Sequence, residues 1–420
     1  MSYTLLQINV VANSGSTGKI AEDIGKLVIA NDWQSYIAYG RIGRNSTSNL
    51  IYIGDKHGFN VKEHGIESRI FDNHGLASRS ATKRFIKQIE EINPNIIHLH
   101  NIHGYYINYK ILFEYLQSKQ IPVVWTLHDC WSFTGHCAHF DFIGCKKWKT
   151  QCYDCIEKKT YLASFLLDRS KKNYLQKKEL FTSLDNVTIV AVSNWLDDLI
   201  KESFLSKYPT KVIHNGIDLQ LFRNYENNHA KEKIIFGKKC NNLSEKFSDL
   251  TTQKIILGVS NVWHNRKGFD DYIKLSKIVD KDTIIVLVGV NDKQIKVLPN
   301  NIIGIKRTEN QKELAELYSV ADMFFNPTYE DNFPTTNIEA LACGTPVVTY
   351  KTGGSIEAVD ENTGFVIEQG AYNEVPQILE KIKTKGKQYY KQICRQRAEQ
   401  YYNKDFAFQQ YLDLYEKILK

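Results

Sequence analysis

Nowhere in the 420 residues do 18 apolar residues run together, so no transmembrane helix is indicated. The opening Met1-Ser2-Tyr3-Thr4-Leu5-Leu6-Gln7-Ile8-Asn9-Val10 lacks a basic leader and a long apolar core. It reads as a first β-strand rather than a signal peptide, which places the chain in the cytoplasm. There is no internal repeat and no low-complexity tract. Charged residues make up 24% of the chain and apolar residues 42%, the balance of an ordinary globular protein and not of a disordered one. At roughly 100–200 residues per domain, the length implies two or three domains.

What is present is an alternation of strand and helix. Residues 4–10, 95–99, 122–127 and 187–192 are short apolar runs ending in polar residues. Buried parallel strands have that pattern, with chemistry at their carboxyl ends. A helix follows the first run, with Ile20, Ile24, Leu27 and Val28 on one face and Thr17 as its N-cap. A second series begins near Lys254. Residues 255–259, 283–288, 323–326 and 346–349 read as strands, and residues 311–320 and 335–343 as helices. Between the two series, residues 223–253 are polar and Lys/Asn-rich and read as a linker with an irregular insertion. Residues 404–420 form a last helix. The expected fold is α/β with two Rossmann-like domains, residues 1–217 and 218–403, facing across a cleft. The last helix is expected to return to the first domain.

One stretch carries most of the chemistry: Asn326-Pro327-Thr328-Tyr329-Glu330-Asp331-Asn332-Phe333-Pro334-Thr335-Thr336-Asn337-Ile338-Glu339-Ala340-Leu341-Ala342-Cys343-Gly344. It reads as strand, acidic loop, helix and glycine stop. Thr335 and Thr336 open the helix, and free N–H groups at a helix start attract anions. Asp331 and Glu339, seven residues apart, offer carboxylates to sugar and ribose hydroxyls.

This stretch resembles the carboxylate–seven residues–carboxylate motif of the retaining GT-B glycosyltransferases of family four. Other features agree in chain order, from Asn9 to about Phe365. They are Ser14-Gly15-Ser16-Thr17-Gly18 after strand one, His98-Leu99-His100, Thr126-Leu127-His128-Asp129, Val192-Ser193-Asn194, His214-Asn215-Gly216-Ile217-Asp218 and Arg266-Lys267-Gly268. The resemblance implies a nucleotide-sugar donor held by the second domain and a saccharide or lipid-linked acceptor served by the first. It implies transfer with retention of anomeric configuration, in bacterial surface-polysaccharide assembly. His128 would contact the transferred sugar, Arg266 and Lys267 the leaving diphosphate, Asp331 the sugar and Glu339 the ribose. Gly15, Gly18, Phe333, Thr335 and Thr336 complete the donor site, and no cofactor is required for catalysis. The first acidic position is usually Glu in that family. Here Asp331 stands there with Glu330 beside it, and Pro334 removes one backbone donor. A nucleotide-sugar 2-epimerase or hydrolase on the same fold is the alternative. A non-catalytic scaffold or nucleic-acid-binding protein is the alternative of another class.

Three tempting motifs have plainer readings. Gly15-Ser16-Thr17-Gly18-Lys19 lacks the upstream glycine and the Ser/Thr of a phosphate-binding P-loop. His98, His100 and His103 could ligate a metal, but strand-end packing suits them better. Asp280-Lys281-Asp282 reads as polar loop. Between Lys146 and Leu180, ten Lys/Arg against four Asp/Glu supply +6 of the chain's net +7. Trp148, Tyr153, Tyr161, Phe165, Leu166 and Leu167 are interleaved with them. An anionic membrane surface is the expected partner, a phosphorylated acceptor stays open and nucleic acid is not expected, with a solvated helix face as the plain reading. Cys137, Cys145, Cys152 and Cys155 lie close in sequence. Cytosolic disulfides are rare, so zinc held by four thiolates is weighed against free reduced thiols.

Overall fold

The computed structural model describes residues 2–55, 57–225 and 253–420. The stretch expected to link the two strand–helix series lies outside the described residues except at its ends. The first series builds a seven-stranded sheet from β1 (Thr4–Asn9), β2 (Gln34–Tyr39), β3 (Asn49–Tyr52), β4 (Ile96–Leu99), β5 (Val123–Leu127), β6 (Val187–Ala191) and β7 (Thr210–Val212). Their order is β3-β2-β1-β4-β5-β6-β7, and every neighbouring pair is parallel. The second series builds a six-stranded sheet from β8 (Lys254–Val259), β9 (Thr283–Val288), β10 (Ile302–Ile305), β11 (Met323–Asn326), β12 (Val347–Tyr350) and β13 (Gly364–Ile367). Its order, β10-β9-β8-β11-β12-β13, is also wholly parallel.

The continuous apolar runs dictate this arrangement. Every residue of β5 and of β9 is buried, which requires cover on both faces of the sheet, as crossover helices provide. In each sheet the strand order reverses beside the first strand, between β1 and β4 and between β8 and β11. Loops leaving neighbouring strands part there, and ligands of doubly wound sheets gather in the gap.

The chain divides into two compact units, Met1–His214 with Ala407–Lys420, and Asn215–Phe406. The junctions fall three residues from the expected positions. Residues 215–218 are tied to the second unit, because Ile217 donates its N–H to Tyr402 O at 2.9 Å and accepts from Lys404 N at 3.1 Å. The final helix, Lys404–Leu419, buries Phe408, Tyr411, Leu412 and Tyr415 in one cluster with Leu5, Ile20, Ile24, Val28 and Trp33 of the first unit. The first helix spans Gly15–Ala30 with Ser14 in the N-cap position, so Thr17 is not the cap. Gly15 adopts a left-handed conformation, φ 61°, and starts the helix early. The Thr17 hydroxyl instead accepts from Asn9 Nδ2 at 3.3 Å.

Candidate functional site

In the second unit the candidate residues sit on the two loops flanking the switch point, after β8 and after β11. Backbone contact locks these loops together. Tyr329 N donates to Arg266 O at 2.8 Å, and the Arg266 guanidinium donates to Glu330 O at 2.7 Å. Gly268 has φ 74°, and a Cβ there would lie 2.2 Å from Pro327 O, so only glycine fits. On the far side, Gly354 N donates to Asp331 O at 3.0 Å, and a Cβ on Gly353 would lie 2.2 Å from that same oxygen. The acidic loop is thus held from both sides.

Glu330 is fully buried, whereas Asp331 stays partly exposed and pairs with the Lys267 ammonium. The two side chains retain 19% and 23% of their exposure, so solvent screens the pair and separating it costs little, about 1 kcal/mol or less. The helix Thr335–Ala342 starts just beyond, with Pro334 in the N-cap position and no side-chain cap. Asn337 N returns to Pro334 O at 3.1 Å. The Thr335 and Thr336 N–H groups have no hydrogen-bond partner among the described residues, and both residues are partly exposed. Glu339 is also partly exposed and accepts from Tyr318 OH at 3.1 Å. Phe333 is buried against Tyr402, so its side chain holds the loop and offers a ligand no surface.

In the first unit the candidates follow β1, β4 and β5. Gly18 is buried, and a Cβ would press on Val11 at 3.0 Å, which accounts for glycine in that turn. Behind His128 runs a chain of hydrogen bonds. The Gln7 amide nitrogen donates to Ala21 O at 2.7 Å, which leaves Gln7 Oε1 to accept from His100 Nε2 at 3.1 Å. His100 Nδ1 then accepts from His128 Nε2, also at 3.1 Å, and the two rings stack with 14° between their planes. The order of donors assigns the His128 proton to Nε2 and leaves Nδ1 as its lone-pair nitrogen. Burial lowers the His128 pKa to about 4, so the ring is neutral at pH 7. Burial pushes the Asp129 carboxyl up, but the charge and hydrogen bond of His103, at 2.8 Å, outweigh that and hold it at about 2.

The three histidines of residues 98–103 have separate partners rather than a shared centre. His98 lies between Thr126 Oγ1 at 2.8 Å and Tyr415 OH at 2.7 Å, His100 bonds Gln7 and His128, and His103 bonds Asp129. Asp280 and Asp282 pair with Lys254 at 3.3 and 3.4 Å, which explains their loop without a ligand. Cys137, Cys145, Cys152 and Cys155 are all reduced and line one cavity of the first unit. Sequence reasoning misses Gln7, Gly353, Tyr318 and Tyr415. The available signals are a lone amide inside an apolar strand and a Gly-Gly pair after one. For the two tyrosines there is none, because an aromatic on a helix face reads as core.

The family comparison covers both units. Residues 47–221 match the family described as Glycosyltransferase Family 4, and residues 241–400 that described as Glycosyl transferases group 1. The two spans together take in about four-fifths of the chain. WcaC of Escherichia coli K12, named as a colanic acid biosynthesis glycosyl transferase, is 23% identical over 390 residues, 90% of this chain and 89% of the relative. The capsular polysaccharide biosynthesis glycosyltransferase CapM of Staphylococcus aureus is 25% identical over 218 residues, 50% of this chain and 54% of the relative. Sucrose-phosphate synthase from Thermosynechococcus elongatus has the same fold, with a TM-score of 0.70 at 16% identity and 99% coverage of both chains. So does the Anabaena protein HepE in complex with UDP, with a TM-score of 0.65 at 15% identity, covering 99% of this chain and 100% of that one. Two parallel doubly wound sheets and the paired family matches lead to one conclusion: the chain belongs to the glycosyltransferases of family 4 and group 1, with the GT-B fold.

Proposed function

We propose that this enzyme moves a sugar from a nucleotide-sugar donor to a saccharide or lipid-linked acceptor, retaining the anomeric configuration, during assembly of a bacterial surface polysaccharide. The observation that carries the reading is the Lys267–Asp331 pair beside two unpartnered helix N–H groups at the carboxyl end of β11. A loosely held cation and free amides suit a diphosphate, and the carboxylate released from the pair suits sugar hydroxyls. The names of WcaC and CapM, and the UDP and UDP-glucose complexes of HepE, support the reaction class and the donor class.

Lys267, Arg266 and the Thr335 and Thr336 amides stabilise charge on the leaving diphosphate. Asp331 orients the sugar and Glu339 the ribose. In the first unit, His128 offers a neutral ring to a sugar, and Gly15 and Gly18 leave the loop after β1 open to close backbone approach. On the acceptor's side of the sugar, the departing phosphate oxygen takes the hydroxyl proton as the new C–O bond forms and the old one breaks. These built-in cations make a divalent metal unnecessary. The exposed Phe165, Leu166 and Leu167, in a segment rich in basic residues, support a location at the inner face of the cell membrane, where a lipid-linked acceptor would lie. No helix among the described residues is long and apolar enough to cross that membrane.

Proton NMR of the product formed from an α-linked donor tests the stereochemistry. An α-linkage is expected, and a β-linkage overturns retention. Donor turnover that ignores every acceptor assigns a hydrolase or epimerase instead.

A further inference from the structure

The thiols of Cys137, Cys145, Cys152 and Cys155 come from one short stretch of chain, and all four line a single cavity of about 20 Å³, the room of one atom or water. The Cys137 thiol donates a hydrogen bond to Cys155, and Gly135 N donates to Cys152 Sγ at 3.2 Å. Phe133, Phe140 and Trp148 pack against one another beside the cavity, the last two stacked at 4.9 Å. One further group suits concentrated negative charge. Lys177 is buried, its ammonium fixed by Trp131 O at 2.7 Å and Thr134 O at 3.1 Å. His136, another cavity-lining residue, is buried with Nδ1 on Asp72 Oδ1 at 2.6 Å and no partner for Nε2.

We propose that these four cysteines bind one zinc ion as thiolates, with Lys177 as the group that compensates its charge. Four thiolates around Zn²⁺ leave a net charge of −2, costly in an apolar pocket without cations and N–H donors nearby. The Asp72 carboxylate accepts from His136 Nδ1 and fixes the ring, which leaves Nε2 as its lone-pair nitrogen. A closed set of four thiolates leaves no position for substrate water, so the ion is structural. Its consequence for function is positional. Thr134 Oγ1 donates to Cys137 O at 2.5 Å, Cys130 N donates to Ala138 O at 3.1 Å, and Trp131 N donates to Asp129 Oδ1 at 2.9 Å. The cysteine knot therefore anchors the turn that leaves β5 immediately after His128. Among the described residues, the ligand atoms that lie within 4.8 Å of one another are those of Asp72, His74 and His136, a rival centre, and not those of the four thiols, which close in as the ion binds. Asp72 is already engaged there by His136 and by Arg169 N at 2.7 Å, and the set contains no sulfur.

The test uses the full chain purified without chelator, and its readouts do not depend on transferase activity. Elemental analysis should give about one zinc per chain, and X-ray absorption should give sulfur neighbours at about 2.3 Å. Cys152→Ser should lose the metal. If that variant does not fold, mercurial titration of the wild-type protein should release one zinc per four thiols. Metal-free protein with four freely reactive thiols overturns the proposal. So does a shell of nitrogen and oxygen alone, which assigns the ion to Asp72, His74 and His136.

Discussion

Lys267 and Asp331 partner each other, and a donor bound as proposed would exchange both partners at once. Lys267→Ala should therefore lower the transfer rate by about 10²-fold or more while the fold persists, because one preorganised charge donor is lost from a partly exposed position. Asp331→Asn and Glu339→Gln should each impair turnover. Glu330→Gln should be milder in kinetics and show its cost in stability, since that side chain is buried and its main chain braces the loop. A dead but well-folded Glu330→Gln would transfer the sugar contact to Glu330. The histidines make a separate prediction. Burial holds His98, His100 and His128 below their usual range, with His128 at about 4. Below about pH 6.5 the unfolded chain takes up protons that these folded rings refuse. Stability should thus fall as the pH drops from 6.5 toward 4, seen as a falling urea midpoint. No limb at 6.5 in kcat/KM should belong to His128, and one abolished by His128→Asn would contradict the neutral ring.

At the scale of elements, the parallel strands and the acidic loop were legible because buried runs and turn-forming residues are local properties. The expected spans 283–288, 311–320 and 323–326 match the observed elements residue for residue. What sequence hides is long-range. Asp331 and Glu330 differ by one position in the chain, and only the clamp from Arg266, Gly353 and Gly354 separates a buried carboxylate from a partly exposed one. The final helix is another case. Its apolar face was readable, but not that Tyr415 OH reaches His98, 317 residues away. Tyr415→Phe should cost about 1–2 kcal/mol by urea unfolding, by leaving a buried ring nitrogen without its donor. An unchanged midpoint would show that His98 finds another partner.

For the whole molecule, the charge asymmetry is the feature with a consequence. The +6 of residues 146–180 lies on short turns and the helix Ser170–Phe181, with Ile156, Tyr161, Phe165 and Leu166 exposed among them, whereas Trp148 and Lys177 are buried and contribute to the interior. Vesicles containing anionic lipid should capture the enzyme and release it as salt rises, at about 1 kcal/mol per basic residue at the surface. Equal capture by neutral vesicles would count against an electrostatic contact. The proposed reaction is nucleotide-sugar transfer at the Lys267–Asp331 loop. A panel of UDP-, GDP- and ADP-sugars, scored for nucleoside diphosphate release by the wild-type enzyme and by Lys267→Ala, tests it most directly. One donor class should turn over with the wild type and be lost roughly 10²-fold in the variant. Release that is unaffected by Lys267→Ala, or no binding and no release with any donor, would contradict it.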